Sequence, residues 1–134
     1  MKINCLLVTK VLTNFIREES HKAGFEQNII GLSGGLDSTV CSYLAVKAVG
    51  PQNLFALIMP FKDYDQEGVR LAEEVCKILG INFEKIDISP QIEAYFSSHL
   101  TDNPVLRGNK MARERMSILY DYSARMKAMI LGTS

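Results

Sequence analysis

The chain has no excess of either charge: 15 lysines and arginines stand against 15 aspartates and glutamates, and the formal net charge at pH 7 is zero. No basic block or acidic tail disturbs that balance, which sets nucleic acid aside as a partner. Cysteine is scarce. Cys5, Cys41 and Cys76 are an odd set without metal-ligand spacing, which argues against a disulfide framework or a zinc site and for reduced thiols in the cytoplasm. Cys41 and Cys76 lie among apolar residues at helical spacing, so burial is their expected role. Long hydrophobic runs are missing. Cys5-Leu6-Leu7-Val8 is too short for the core of a signal peptide, and no stretch suits a membrane span. There is no repeat and no low-complexity segment. The two histidines, His21 and His99, stand alone, which favours surface positions over catalysis. What remains is one domain's worth of chain, 134 residues, with apolar content sufficient for a core.

The apolar residues alternate between two periods. Leu7, Val11 and Phe15, joined by Val8, Leu12 and Ile16, mark an amphipathic helix over residues 3–23, with Gly24 placed to end it. A buried-type strand follows at 28–32, then a helix at 39–49 closed by Gly50-Pro51. The run 54–59 reads as a second strand ended by Pro60, with a loop at 61–65. Residues 66–79 form a helix with Val69, Ala72, Val75, Cys76 and Leu79 on one face. A third strand is expected at 82–88. A short helix should follow at 90–96, with Ser89 as N-cap and Pro90 in its first position. Residues 97–108, which hold Pro104 and Gly108, read as a loop. The last helix is expected at 109–126, with Ala112, Met116, Leu119, Tyr120 and Ser123 inward, and a fourth strand at 128–131. Strands alternating with helices predict a doubly wound parallel sheet with right-handed crossovers, in strand order 3-2-1-4. The chain stops just past the fourth strand, where α/β proteins build sites, so a domain truncated on its C-terminal side is expected.

The densest signal is Gly31-Leu32-Ser33-Gly34-Gly35-Leu36-Asp37-Ser38, between the first strand and the helix after it. Amides at a helix N-terminus are unpaired and partly positive, and paired glycines let an anion approach them. The loop therefore reads as a phosphate cradle. It is not a Walker A loop, because Asp37 stands where that motif has lysine. Its glycines do not fit the dinucleotide fingerprint either. An acid inside a phosphate loop needs an intervening cation, so Asp37 is a candidate Mg²⁺ ligand. Ser33 and Ser38 can donate hydroxyl hydrogen bonds to phosphate oxygens. Gly31-x-Ser33-x-Gly35 also fits the nucleophile elbow of α/β-hydrolases. That motif needs a later acid and histidine, and His99 is the only downstream histidine.

The string Ser-Gly-Gly-x-Asp-Ser resembles the pyrophosphate loop of the N-type ATP pyrophosphatases. A second set of elements appears in order: Gly108-Asn109, Ala112-Arg113-Glu114-Arg115-Met116, Leu119-Tyr120 and Leu131-Gly132-Thr133. With these, residues 28–134 resemble the NAD synthetases of the ammonia-dependent type. The resemblance implies an adenine-nucleotide α-hydrolase-like fold. It implies amidation of deamido-NAD by ammonia through an adenylated intermediate, with ATP as co-substrate and Mg²⁺ as cofactor. ATP contacts map to Gly31, Leu32, Ser33, Gly34, Gly35, Leu36, Asp37, Ser38 and Thr133, with Asp37, Ser33 and Ser38 in catalytic roles and Asp37 on the metal. Arg113, expected near its helix start, maps to a deamido-NAD contact. Arg115 points about 200° around the helix from it and is read, with Glu114, as a solvated charge. Leu57, Met59 and Pro60 are either an adenine contact or plain sheet core. The resemblance implies a homodimer, with residues 109–126 near the interface. A second metal-binding glutamate, which the family carries beyond the Leu-Gly-Thr element, has no counterpart in the 134 residues, so this chain alone is expected to be inactive or strongly impaired. Another N-type ATP pyrophosphatase, or a non-catalytic ATP-binding module, are the alternative readings.

Overall fold

The structure, a computed structural model, describes residues 2–133. Four parallel strands lie in the order β3-β2-β1-β4, with β1 at Gln27–Gly31, β2 at Leu54–Ile58, β3 at Asn82–Lys85 and β4 at Ala128–Leu131. The register pairs Ile29 with Phe55 and with Ile130, and Leu57 with Glu84. Side chains of a strand alternate between faces, and the core divides accordingly. On one face Ile29 and Leu57 pack with Ile88, Ile92, Phe96 and Leu119. On the other Ile30, Ala56 and Ile58 pack with Ala45, Ala72 and Cys76. Each fully buried isoleucine or leucine contributes about 1.5–3 kcal/mol, so burial in these two layers holds the sheet between its helices.

The helices are α1 (Cys5–Lys22), α2 (Leu36–Val49), α3 (Gln66–Leu79), α4 (Ser89–Ser98) and α5 (Pro104–Met126), with a short 3-10 turn at Pro51–Asn53. The Asn4 side chain caps α1 by accepting from Leu7 N at 3.1 Å. The face that α1 buries is small and polar, with Thr13 and Ser20, while Leu7, Val11 and Phe15 are exposed. Ser20 Oγ donates to Asn28 Oδ1 at 2.7 Å and ties α1 to the buried start of β1. Asp65 caps α3 through a hydrogen bond from Gly68 N, 3.0 Å, and Gly80 ends that helix in the left-handed region.

Several boundaries differ from the sequence expectation. Helix α2 starts at Leu36 rather than residue 39, because Gly35 takes the extended N-cap conformation. Strand β3 ends at Lys85, yet Ile86 N and Ile88 N still donate to Ile58 O and Pro60 O at 2.8 and 2.9 Å, so the chain runs beside β2 through Ile88. Ser89 is the first residue of α4, not its cap. Its hydroxyl donates to Asp87 and accepts from Lys62 N at 2.7 Å, pinning the 61–65 turn to α4. The largest correction concerns residues 97–108. Asn103 accepts from Val105 N at 2.9 Å as an N-cap, Pro104 opens the helix, and α5 runs 23 residues. Proline is pre-organised for a first helical position, so it starts this helix rather than interrupting a loop. Arg113 therefore sits in the middle of α5, not near its start. The inward face of α5 is also rotated from the expected one. Met111, Ile118, Leu119, Tyr122 and Met126 meet the core, while Met116 and Tyr120 are exposed.

Candidate active site

The carboxyl end of β1 runs directly into the Gly-rich loop. Leu32 is buried and its N–H donates to Leu57 O at 2.8 Å, which extends the β1–β2 ladder by one bond. Ser33 then leaves the sheet exposed. Gly34 turns the chain with φ +84°, and a Cβ there would lie 2.1 Å from Gly68 O, so the loop presses against the first turn of α3. Gly35 is the N-cap of α2 and has no side chain to satisfy the amides behind it. Those first-turn amides are what an anion can use.

The serines hold the loop's shape. Ser33 Oγ lies 3.1 Å from Ser38 Oγ and accepts from Gly35 N at 3.2 Å. Ser38 is buried, and its Oγ also accepts from Ser33 N at 3.3 Å. Thr39 Oγ1 donates to Gly35 O at 2.7 Å. Ser33 thus has hydroxyl and amide neighbours and no imidazole, since His99 Nδ1 is engaged with Ser98 and Tyr95 on an exposed helix end. The hydrolase-elbow geometry is not built here. Asp37 is exposed in the first turn of α2, where the helix dipole favours negative charge.

Beside the loop opens a cavity of about 760 Å³ between the ends of β1 and β2, the 61–65 turn and the first half of α5. Gly31, Leu32, Ser33 and Thr133 line it, as do Leu57, Met59 and Pro60. Gly34, Gly35, Leu36, Asp37 and Ser38 do not line it but continue from Ser33 into α2. Arg113 is exposed and outside the lining. The arginines that do reach the cavity are Arg107 and Arg115. The Arg107 guanidinium lies 4.6 Å from the Phe96 ring centroid. Arg115 is half-buried, its Nε donates to Met59 O at 2.9 Å, and burial draws its pKa below the usual guanidinium value. The solvated-surface reading of Arg115 is thereby corrected. The signal for it was available: Arg107, Met111 and Arg115 recur every four residues, one face of a helix, once the helix is seen to begin at Pro104.

The wall formed by the 61–65 turn is fixed by charge. Lys62 pairs with Glu93, and Asp87, which accepts from both the N–H and the Oγ of Ser89, is held below the usual carboxylate pKa by those bonds. No thiol lines the cavity. Cys76 is buried and pushed up to about 11, mainly by desolvation, and Cys41 is raised by burial and by Asp37. Among the described residues no three His, Cys, Asp or Glu side chains converge as a metal cage, and no helix is long and apolar enough to cross a membrane.

A parallel α/β sheet, a Gly-rich loop opening a helix at a topological switch point, and a cavity against that loop define a doubly wound α/β protein with its candidate site at the carboxyl ends of the strands. A family model described as NAD synthase matches residues 8–134, and the chain belongs to that family. It is 40% identical over 134 residues to an NH(3)-dependent NAD(+) synthetase of Trichlorobacter lovleyi, covering all of this chain and 49% of that protein. It is 42% identical to one of Fusobacterium nucleatum, covering all of this chain and 52% of the relative. The chain thus spans about half the length of these curated relatives. The structure of an NH3-dependent NAD synthetase from Campylobacter jejuni superposes with a TM-score of 0.94 at 32% identity, over 99% of this chain and 58% of that one. An NMN synthetase from Francisella tularensis gives 0.91 at 32%, over 99% and 56%.

Proposed function

We propose that the protein forms NAD by ATP-dependent amidation of deamido-NAD with ammonia. The observation that carries this reading is the loop at Gly31 to Ser38, which presents the uncapped amides of α2 next to the cavity at the end of β1. In the proposed reaction a carboxylate oxygen of deamido-NAD attacks the α-phosphorus of ATP. The bond to the β-phosphate oxygen breaks and pyrophosphate leaves. Ammonia then attacks the acyl carbon of the adenylate, loses a proton, and displaces AMP with the original carboxylate oxygen.

The loop residues account for the first step by charge placement rather than covalent chemistry. Gly34 and Gly35 let phosphate oxygens reach the amides, the exposed Ser33 supplies a hydroxyl donor, and the buried Ser38 would supply a second by exchanging its bond to Gly35 O for one to phosphate. Thr133 closes the cavity beside them. Asp37 offers one exposed carboxylate at the loop. That sparse donor set fits Mg²⁺, which keeps several waters and takes its other ligands from substrate phosphates. When bound, the ion supplies neutralising charge to those phosphates. Leu57, Met59 and Pro60 offer the adenine an apolar floor. Arg113, exposed on α5, would meet the dinucleotide outside the cavity, which suits a homodimer in which the acceptor lies between copies. The free thiols suit the cytoplasm.

A second reading changes the acceptor, to the mononucleotide of deamido-NAD, and with it the product. The likeness to an NMN synthetase at the same 32% identity supports NMN as the product in place of NAD. The test is product analysis with the protein expressed from its complete reading frame, given Mg-ATP and ammonia with deamido-NAD or its mononucleotide. NAD formed with stoichiometric AMP and pyrophosphate supports the first reading. NMN alone replaces it with the second. Neither product, from a folded protein, leaves ATP binding as the function.

A further inference from the structure

Arg115 is a half-buried cation without a counter-ion among the described residues. Its bond to Met59 O uses one of the five N–H donors of the guanidinium. No carboxylate pairs with it among the described residues, and burial alone accounts for its lowered pKa. Desolvating a charge without a partner costs stability. The neighbouring cations avoid that cost, since Lys62 is paired with Glu93 and Arg107 rests on the Phe96 ring. The cost at Arg115 falls where a bound anion can offset it.

The position is specific. Arg115 stands one turn before Leu119, a rise of about 6 Å. Leu119 Cδ1 and Met59 Cε each lie 3.3 Å from the point a Cβ on Gly31 would occupy. Gly31 opens the phosphate loop, and Met59 supplies the carbonyl that holds Arg115. Arg115 thus lines the same cavity as Gly31, Leu32 and Ser33, with Met59 and Leu119 linking it to the start of the loop.

We propose that Arg115 binds the α-phosphoryl group of an adenosine nucleotide, at the junction of cavity and loop. This rests on the nucleotide reading above. If the amides of α2 take the terminal phosphates and the nucleoside fills the cavity, the phosphoryl group that joins them lies at this junction. The Met59 bond fixes Nε and leaves the two Nη groups as a planar fork suited to phosphoryl oxygens.

The experiment is equilibrium binding of AMP and of adenosine to the protein expressed from its complete reading frame. The wild type should prefer AMP by about 10- to 100-fold, the worth of a charge-assisted hydrogen bond. Arg115→Met keeps the aliphatic stem, and Arg115→Gln adds an amide that can still donate to Met59 O. Both should bind adenosine as the wild type does, with the AMP preference gone. A preference that persists in either variant overturns the inference, as does equal binding of AMP and adenosine by the wild type. Variants that no longer bind adenosine assign Arg115 a structural role and also overturn it. No adenosine binding by the wild type overturns the nucleotide reading beneath it.

Discussion

Replacing Gly34 with alanine should destabilise the protein by about 2–5 kcal/mol, from two separable causes. The first is conformational. Gly34 has φ +84°, and an L-residue in the left-handed region costs about 1–2 kcal/mol. The second is steric. The new methyl would lie 2.1 Å from Gly68 O and 2.8 Å from Gly68 C and Cα. These are backbone atoms at the start of α3, so no rotamer change relieves the contact and loop and helix must part. Forced shifts of that kind cost about 1–3 kcal/mol. Against a total stability of about 5–15 kcal/mol the sum is large. The assay is urea denaturation of wild type and variant, with Gly24→Ala as control. Gly24 has a similar φ of +77° but nothing within 4 Å, so its alanine variant should show the conformational cost alone. If Gly34→Ala is no worse than Gly24→Ala, the loop does not press on α3, and the cradle described for it is wrong.

Two further perturbations test the surroundings of the site. Asn103→Ala removes the cap of α5 and should cost about 1 kcal/mol in denaturant unfolding, with faster amide exchange confined to the first turn of that helix. Asp87→Asn tests the strut that holds the 61–65 turn through Ser89. Its folded carboxyl pKa is lowered, so its contribution is complete above the ordinary value of about 3.9 and is lost as pH falls through the lowered one. The gap in melting temperature between wild type and Asp87→Asn should be open at neutral pH and close in acid. A gap that widens on acidification would reverse the assigned sign.

The alternation of strand and helix was readable because the periods are unmixed. Ile29-Ile30 and Leu54 to Ile58 are short apolar runs too brief for helices, and Gly50-Pro51 and Gly80 mark helix ends. The Gly-rich turn between β1 and α2 was readable because its residues are consecutive. The start of α5 was not, since Pro104 and Gly108 suggest a break. The feature that decides it is a side-chain cap from Asn103, a geometry that sequence spacing only hints at. That five-residue error left Arg107 outside the helix and so hid the face of Arg107, Met111 and Arg115, while the inward face was separately assigned to Met116 and Tyr120, which are exposed. The inverted burial of α1, with Thr13 and Ser20 inward, was also not legible, because the amphipathic pattern tells that a helix has two faces and not which one its neighbour takes.

The central claim is that the acceptor carboxylate is activated as an adenylate. Deamido-NAD labelled with ¹⁸O in that carboxylate tests it most directly, with Mg-ATP, ammonia and the protein expressed from its complete reading frame. Transfer of one labelled oxygen to AMP, lost when Asp37 is replaced by alanine, is the expected result. Amide product accompanied by unlabelled AMP, or by ADP and labelled phosphate, would contradict the account.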